Sequence, residues 1–255
     1  MNIEDIIFAL DLPKTARVDR RVPKKMLLET GSPTAADKRK IKEGIEEIRW
    51  IGVLKPTTVG VPSYRDETRE YLEIAIVSAI FRSPGKVDRL LELIHRAIPY
   101  PVLIIAMKNR TVSLSTAHKR WSLGEVDQTV LNGDVITVEL DRETDRGILD
   151  PFLKHLSLSR QPRRNMITLY QGWMDTLTAL EVAIVTGNFR PAVSLAEAED
   201  WREGLKQHGV LKAQIVKIRA VAEKETQIAR QVELNIELKR VESALAEVCV
   251  NFQER

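Results

Sequence analysis

Residues 71–107 constrain this chain more than any other stretch. Leu72, Ile74, Ile76 and the Ala79-Ile80-Phe81 run are apolar or β-branched with few polar residues between them. That pattern predicts a strand over 71–81 covered on both faces. Ser83-Pro84-Gly85 is the expected stop. Val87, Leu90, Leu91, Ile94 and Ile98 then recur at helical spacing up to Pro99. Pro101 opens a second apolar run, Val102-Leu103-Ile104-Ile105-Ala106-Met107. Lys108-Asn109-Arg110 reads as a tight turn, and residues 111–115 alternate as a half-buried strand does. Residues 135–140 alternate again after the turn signal Asn132-Gly133-Asp134. Strand, helix, strand, hairpin and strand in that order predict a mixed sheet with helices packed on it. Residues 50–54 are a candidate for one more, edge strand.

The flanks are helical. Ile3, Ile6, Ile7 and Leu10 give a short first helix that ends before Pro13. A second helix is expected over 34–48, capped by Thr34 and striped by Ile41, Ile45 and Ile48. Beyond Pro151, helices are expected over 148–158, 166–185 and 195–207, the last stopped by His208-Gly209. From 210 to 252 there is neither Gly nor Pro, and apolar residues fall mostly at steps of three and four. A continuous helix of that length is a rod of roughly 60 Å, longer than the domain it leaves. Its stripe needs a partner surface, in an antiparallel pair, a bundle or a parallel dimer. The fold class is α/β (α+β): a small mixed sheet with packed helices, followed by a helical region ending in a long coiled-coil-like helix. The expected parts are an α/β core over 1–150 with a basic N-terminal segment, a helical subdomain over 151–209, and an assembly helix over 210–255. Leu211, Ile215, Ile218, Ile228, Val232, Ile236 and Leu245 are its candidate assembly residues, so an oligomer is expected.

Composition excludes several classes. The 255 residues are 44% hydrophobic and 29% charged, which suits a buried core and neither a disordered nor a collagen-like chain. Cys249 is the only cysteine, so no internal disulfide forms. Glu4, Asp5 and Asp11 interrupt the start of the chain, against a signal peptide. No run of eighteen apolar residues exists to span a membrane. The expected location is the cytoplasm.

Two patterns bear on chemistry. Between Lys14 and Lys25, six bases (Lys14, Arg17, Arg20, Arg21, Lys24, Lys25) face one acid, Asp19. Such a segment can neutralise several phosphates. Lys38-Arg39-Lys40, Lys55, Lys108, Arg110 and His118-Lys119-Arg120 enlarge the patch if they fold to the same side. The bland alternative is a solvated surface paired with acids such as Asp37, Glu43 and Glu46, and a net charge of +3 is low for a nucleic-acid binder. The second pattern is a metal-nuclease core, in which acids and a lysine on neighbouring strands hold a divalent ion and activate water. Glu70 and Glu73 flank the first core strand and Lys108 ends the next, but Met107 stands where a second acid is needed. Glu139 and Asp141 on a later strand are candidate substitutes, which spacing alone does not place. His95 reads as a half-buried hydrogen-bonding group, Cys249 as inert packing, and Trp50, Trp121, Trp173 and Trp201 as core or rim anchors. No glycine-rich phosphate loop, GxSxG, CxxC or HExxH motif is present.

Several strings taken together resemble one prokaryotic family, domain-of-unknown-function family 4391. They are Pro23-Lys24-Lys25, Ala36-Asp37-Lys38, Ile48-Arg49-Trp50 with Leu54-Lys55-Pro56, Tyr71 with Glu73-Ile74, and above all Ile94-His95-Arg96-Ala97-Ile98-Pro99-Tyr100-Pro101-Val102. His118-Lys119-Arg120 follows them at a familiar distance. The likeness covers roughly residues 5–185. It implies an accessory protein of bacterial DNA-modification and anti-phage loci, met near Swi2/Snf2-type helicases and adenine methyltransferases. It carries no catalytic residues with it. Pro99 and Pro101 read as a rigid helix-to-strand connection. Pro23-Lys24-Lys25 with Asp37-Lys38 reads as the functional part.

The leading expectation is therefore a non-catalytic accessory subunit without a cofactor, touching DNA or a DNA-bound helicase or methyltransferase. The alternatives are a divergent metal-dependent nuclease using Glu73 and Lys108, and a purely structural protein-interaction scaffold.

Overall fold

Asn2 opens the first helix, α1 (Ile3–Ala9). Its side chain accepts from the Asp5 amide while the Asp5 carboxylate accepts from the Asn2 amide, which satisfies donors that a helix start leaves free. The structure, a computed structural model, describes residues 1–31, 33–82, 86–124, 128–141 and 143–253. The stop expected at Ser83-Pro84-Gly85 lies outside the described residues. Two compact units form, Met1–Leu177 and Thr178–Arg255. Their boundary falls inside a long helix.

The first unit is built on a six-stranded sheet. β1 (Arg17–Arg21) leads to α2 (Lys24–Glu29), α3 (Ala35–Gly44) and β2 (Ile45–Leu54). A one-turn helix α4 (Pro56–Val59) and a ribbon of β3 (Tyr64–Arg65) and β4 (Glu70–Tyr71) follow. Next come β5 (Ile74–Phe81), the crossover helix α5 (Val87–Ala97) and β6 (Val102–Lys108). β5 and β6 are parallel, Ala75 opposite Val102 and Phe81 opposite Lys108. β7 (Thr111–Thr116) returns antiparallel through a turn in which Asn109 has φ of 57°, a conformation Asn tolerates. β8 (Lys119–Trp121) and β9 (Thr129–Leu131) make a second ribbon, and β10 (Ile136–Leu140) pairs with β7. The order across the sheet is β1-β2-β5-β6-β7-β10, with antiparallel pairing everywhere but β5–β6. This is the mixed sheet the strand order implied.

Alternation divides the buried strands between two faces. Ala75, Val77, Ala79 and Phe81 of β5, with Val102, Ile104 and Ala106 of β6, pack in one core with Leu27 of α2, Ile41 of α3 and Leu90, Leu91 and Ile94 of α5. Ile74, Ile76, Leu103 and Ile105 are buried on the other face, where α1 lies against β6. α6 (Arg146–Leu156) packs on α1, and α7 (Met166–Thr186) sends the Trp173 indole to the Leu156 carbonyl at 2.9 Å.

Three sequence expectations change here. Thr34 caps α3 as expected, accepting from the Asp37 amide at 3.2 Å, but the helix stops at Gly44. Ile45 and Ile48 belong to β2, because Ile45, Ile48, Trp50, Ile51 and Val53 fit a pleated surface better than a helix. A register shift between Ile45 and Glu47 keeps both isoleucines in the core. Residues 50–54 are consequently an interior strand, since β1 takes the edge. β7, expected to be half-buried, is covered from Val112 to Thr116.

In the second unit, Ser194 caps α8 (Leu195–Ala222) by accepting from the Glu197 amide at 3.1 Å. α9 (Ile228–Asn251) returns beside it. The expected stop at His208-Gly209 and the single rod from 210 onward are both absent. α8 runs through Gly209, and the break falls at residues 223–227. A helical glycine costs only about 1 kcal/mol, which burial of Ile215 and Ile218 outweighs. The polar run Glu223 to Gln227 has nothing to bury. Gly204 matters to the return: a Cβ there would lie 2.7 Å from the Phe252 ring. Ile215, Ile218, Leu234 and Val248 are buried and Leu211 and Leu245 half-buried, whereas Ile228, Val232 and Ile236 stay exposed. Among the described residues no helix is long and apolar enough to cross a membrane.

Candidate nucleic-acid interface

β1 is an open edge of the sheet, and all five of its residues are exposed. Arg17, Arg20 and Arg21 lie opposite Gly52, Trp50 and Arg49 of β2. Asp19, at φ of 46°, sits where the register breaks, and its carboxylate accepts from Arg49 at 2.8 Å. The strand's own acid is thus engaged by its neighbour. Arg17, Arg20 and Arg21 have no acid partner among the described residues. Charged side chains also keep a sheet edge from pairing with another chain, so this arrangement protects the edge as well as charging it.

The cationic surface continues around one end of the sheet. Ile45, Phe81, Lys108 and Thr111 form a row across β2, β5, β6 and β7. The Lys24 amine donates to the Ile45 carbonyl. Partial burial lowers its basicity first, followed by the nearby charges of Arg82 and Arg21, while Glu46 opposes them. Arg82, which the sequence reading left out, is exposed and anchored by its amide to the Gly44 carbonyl at 2.7 Å. Its only sequence signal is position, directly after the last residue of a buried strand. Lys108 lies in the same row, and Arg110 is exposed in the turn beyond it. The fold therefore gathers Arg20, Arg21, Lys24, Arg82, Lys108 and Arg110 toward this end, and leaves Arg17 at the far end of β1.

Other members of the expected patch are elsewhere or already occupied. Lys25 pairs with Glu29 at 3.6 Å and Arg39 with Glu43 at 2.9 Å, while Lys38 is exposed on α3. Lys55 is at the opposite end of β2, 3.4 Å from Glu73. Arg120 is half-buried and donates to the Trp121 carbonyl at 2.9 Å. Asp37, grouped with the functional lysines by the resemblance, is a structural tie. The Arg89 guanidinium of α5 donates to both its oxygens, at 3.0 and 2.6 Å, and holds its carboxyl well below the usual carboxylate range.

His118 and Lys119 require the largest correction. Lys119 is only 3% exposed, and its amine donates to the carbonyls of His95 and Ile98, where α5 runs out of intrahelical donors. Burial pulls its basicity down to about 7. Neither phosphate nor solvent reaches it. His118 lies between Tyr71, bonded to its Nδ1, and Gln171, whose Oε1 accepts from Nε2 at 2.6 Å. Gln171 in turn donates to Asp175 at 2.8 Å. Tyr170 accepts from the Ala117 amide at 2.9 Å and donates to the Val102 carbonyl at 2.8 Å. His95 is fully buried against the Ser115 hydroxyl, 2.9 Å away. These residues stitch α5, β7 and α7 together. A spacing of His-Lys-Arg on a short strand carries no signal that separates such a cluster from a surface patch.

The residues considered for metal chemistry do not converge. Glu73 precedes β5, whereas Lys108 lies opposite Phe81 at the other end of that strand, about 25 Å away at ~3.3 Å per residue. Glu70 pairs with Arg65 at 3.4 Å, Glu139 is exposed on β10, and the Asp141 carboxylate accepts from the Glu143 and Thr144 amides. Among the described residues no three His, Cys, Asp or Glu side chains group to hold a metal ion. Cys249 is half-buried on α9.

Fold and surface together define a mixed α/β protein with a cationic sheet edge and a separate helical hairpin. The chain belongs to the family described as domain of unknown function DUF4391, whose model matches residues 10–245. No curated protein and no solved structure matches it.

Proposed function

We propose that this protein is a non-catalytic accessory subunit that contacts the phosphate backbone of nucleic acid through the β1 edge. The observation that carries this reading is one exposed strand with three arginines, none of which has an acid partner among the described residues. Contacts of this kind hold a protein on nucleic acid without reading its sequence. The neighbouring Lys24 and Arg82 extend the positive field past the end of the strand. The resemblance to proteins of DNA-modification and anti-phage loci supports a helicase or methyltransferase as the machine it serves. The exposed Ile228, Val232 and Ile236 of α9 support assembly through the helical hairpin.

A salt titration tests the edge. Binding of a labelled DNA duplex should weaken steeply between low and physiological salt. With Arg17, Arg20 and Arg21 all replaced by Ala, the slope of log K against log salt should shrink by about 2.7, at roughly 0.9 per phosphate. An unaltered slope removes β1 from the account.

A further inference from the structure

Between Gly204 and Ala222 helix α8 has no acid, although Lys206, Lys212, Lys217 and Arg219 lie within it and Lys224 follows. Part of this charge is compensated: Arg219 donates to Glu242 of α9 at 2.7 Å, and Lys206 is 4.0 Å from Glu203. Lys217 and Lys224 are exposed and have no ion-pair partner among the described residues. Ala220 shares a face of α8 with Lys217, and Lys224 follows in the break just past the helix end. A shallow hollow of about 370 Å³ opens there, lined by Lys217, Ala220, Val221, Lys224 and Glu225. The lining's acid is turned back on its own loop, one Glu225 oxygen accepting from the Thr226 and Gln227 amides at 2.8 and 2.9 Å, and its charge is set against the two lysines.

We propose that this hollow is a second polyanion contact, taking phosphate groups of a nucleic-acid backbone between Lys217 and Lys224. Two flexible ammonium groups act as point charges that suit phosphate without demanding one orientation. The small Ala220 side chain leaves the space between them open. The class of ligand rests on the reading of the β1 edge, whereas the site rests on its own residues.

The test uses the full chain, a labelled DNA duplex and a salt series, with Lys217→Ala/Lys224→Ala set beside Arg17→Ala/Arg20→Ala/Arg21→Ala. Both lysines are exposed, and an unaltered circular dichroism spectrum confirms the fold. The hairpin variant should shrink the salt slope by about 1.8 and weaken binding at 50 mM salt by roughly tenfold or more. Lys217→Glu/Lys224→Glu should weaken it further. An unaffected hairpin variant beside a flattened edge variant overturns this inference and leaves the edge standing. The reverse pattern supports the hollow and removes the edge. Tighter binding of poly-glutamate than of the duplex at matched charge, with that preference lost in Lys217→Ala/Lys224→Ala, assigns the hollow to an acidic protein partner and overturns the proposal. No duplex binding by the wild-type chain at low salt overturns both.

Discussion

Lys119 shows how one buried amine can finish a helix. Its two acceptors, the carbonyls of His95 and Ile98, belong to the end of α5. Desolvation outweighs these contacts, so the folded chain holds the amine near 7 against an ordinary 10.5. Between those values the unfolded chain binds more protons, so this group's stabilising contribution grows as pH rises and is lost as pH falls toward 7. Burial pushes the Tyr71 and Tyr170 phenols up, which keeps them neutral across the window. Urea midpoints should therefore climb from pH 7 to 9 in the wild type and flatten in Lys119→Met; parallel profiles would exclude Lys119 as the cause. Asp37 predicts the opposite limb. Its carboxyl is held low by Arg89 and by Thr34, so its contribution is complete above about pH 4 and falls away in acid. Asp37→Asn should lose that acid dependence, and an acid limb identical to the wild type's would locate it in another carboxylate.

At the scale of elements, the strongest apolar patterns were legible and the junctions were not. α5 and β6 follow the expected residues closely, and β5 does so from Ile74 onward while Tyr71 falls in β4, because long apolar runs leave few ways to bury them. Ile41, Ile45 and Ile48 satisfied a helical period, yet a strand carries the last two into the same core. Local spacing does not distinguish a helix stripe from a helix followed by a shifted strand. Gly209 misled for a related reason: it is a good stop signal only where the flanking residues have nothing to bury. It is exposed, and beyond its chain neighbours and its own helix backbone no atom lies within 4 Å of where a Cβ would go. Gly209→Ala should accordingly stabilise the hairpin by about 0.5–1 kcal/mol, read as a higher urea midpoint. A lower midpoint would mean the helix is not regular there.

For the whole molecule, the feature that bears on assembly is the apolar stripe α9 leaves exposed. Ile228, Val232 and Ile236 follow at steps of four and are 78%, 52% and 60% exposed, while Leu234 and Val248 are buried. One helix thus carries two apolar faces. If the free one mediates assembly, replacing all three with Ser should shift sedimentation toward the monomer with helicity intact. Identical sedimentation before and after would end the assembly role. Apolar patterning by itself determined that this chain makes a mixed sheet wrapped by helices and then a helical tail, because burial is dictated by runs and periods that any reader of the sequence can count. Only the tertiary structure decided which charges meet solvent. It buried Lys119, tied Asp37 to Arg89 and Lys55 to Glu73, and exposed Arg17, Arg20, Arg21 and Arg82. A charge takes its role from neighbours that strand register and helix packing bring close, and those neighbours stand far away along the chain.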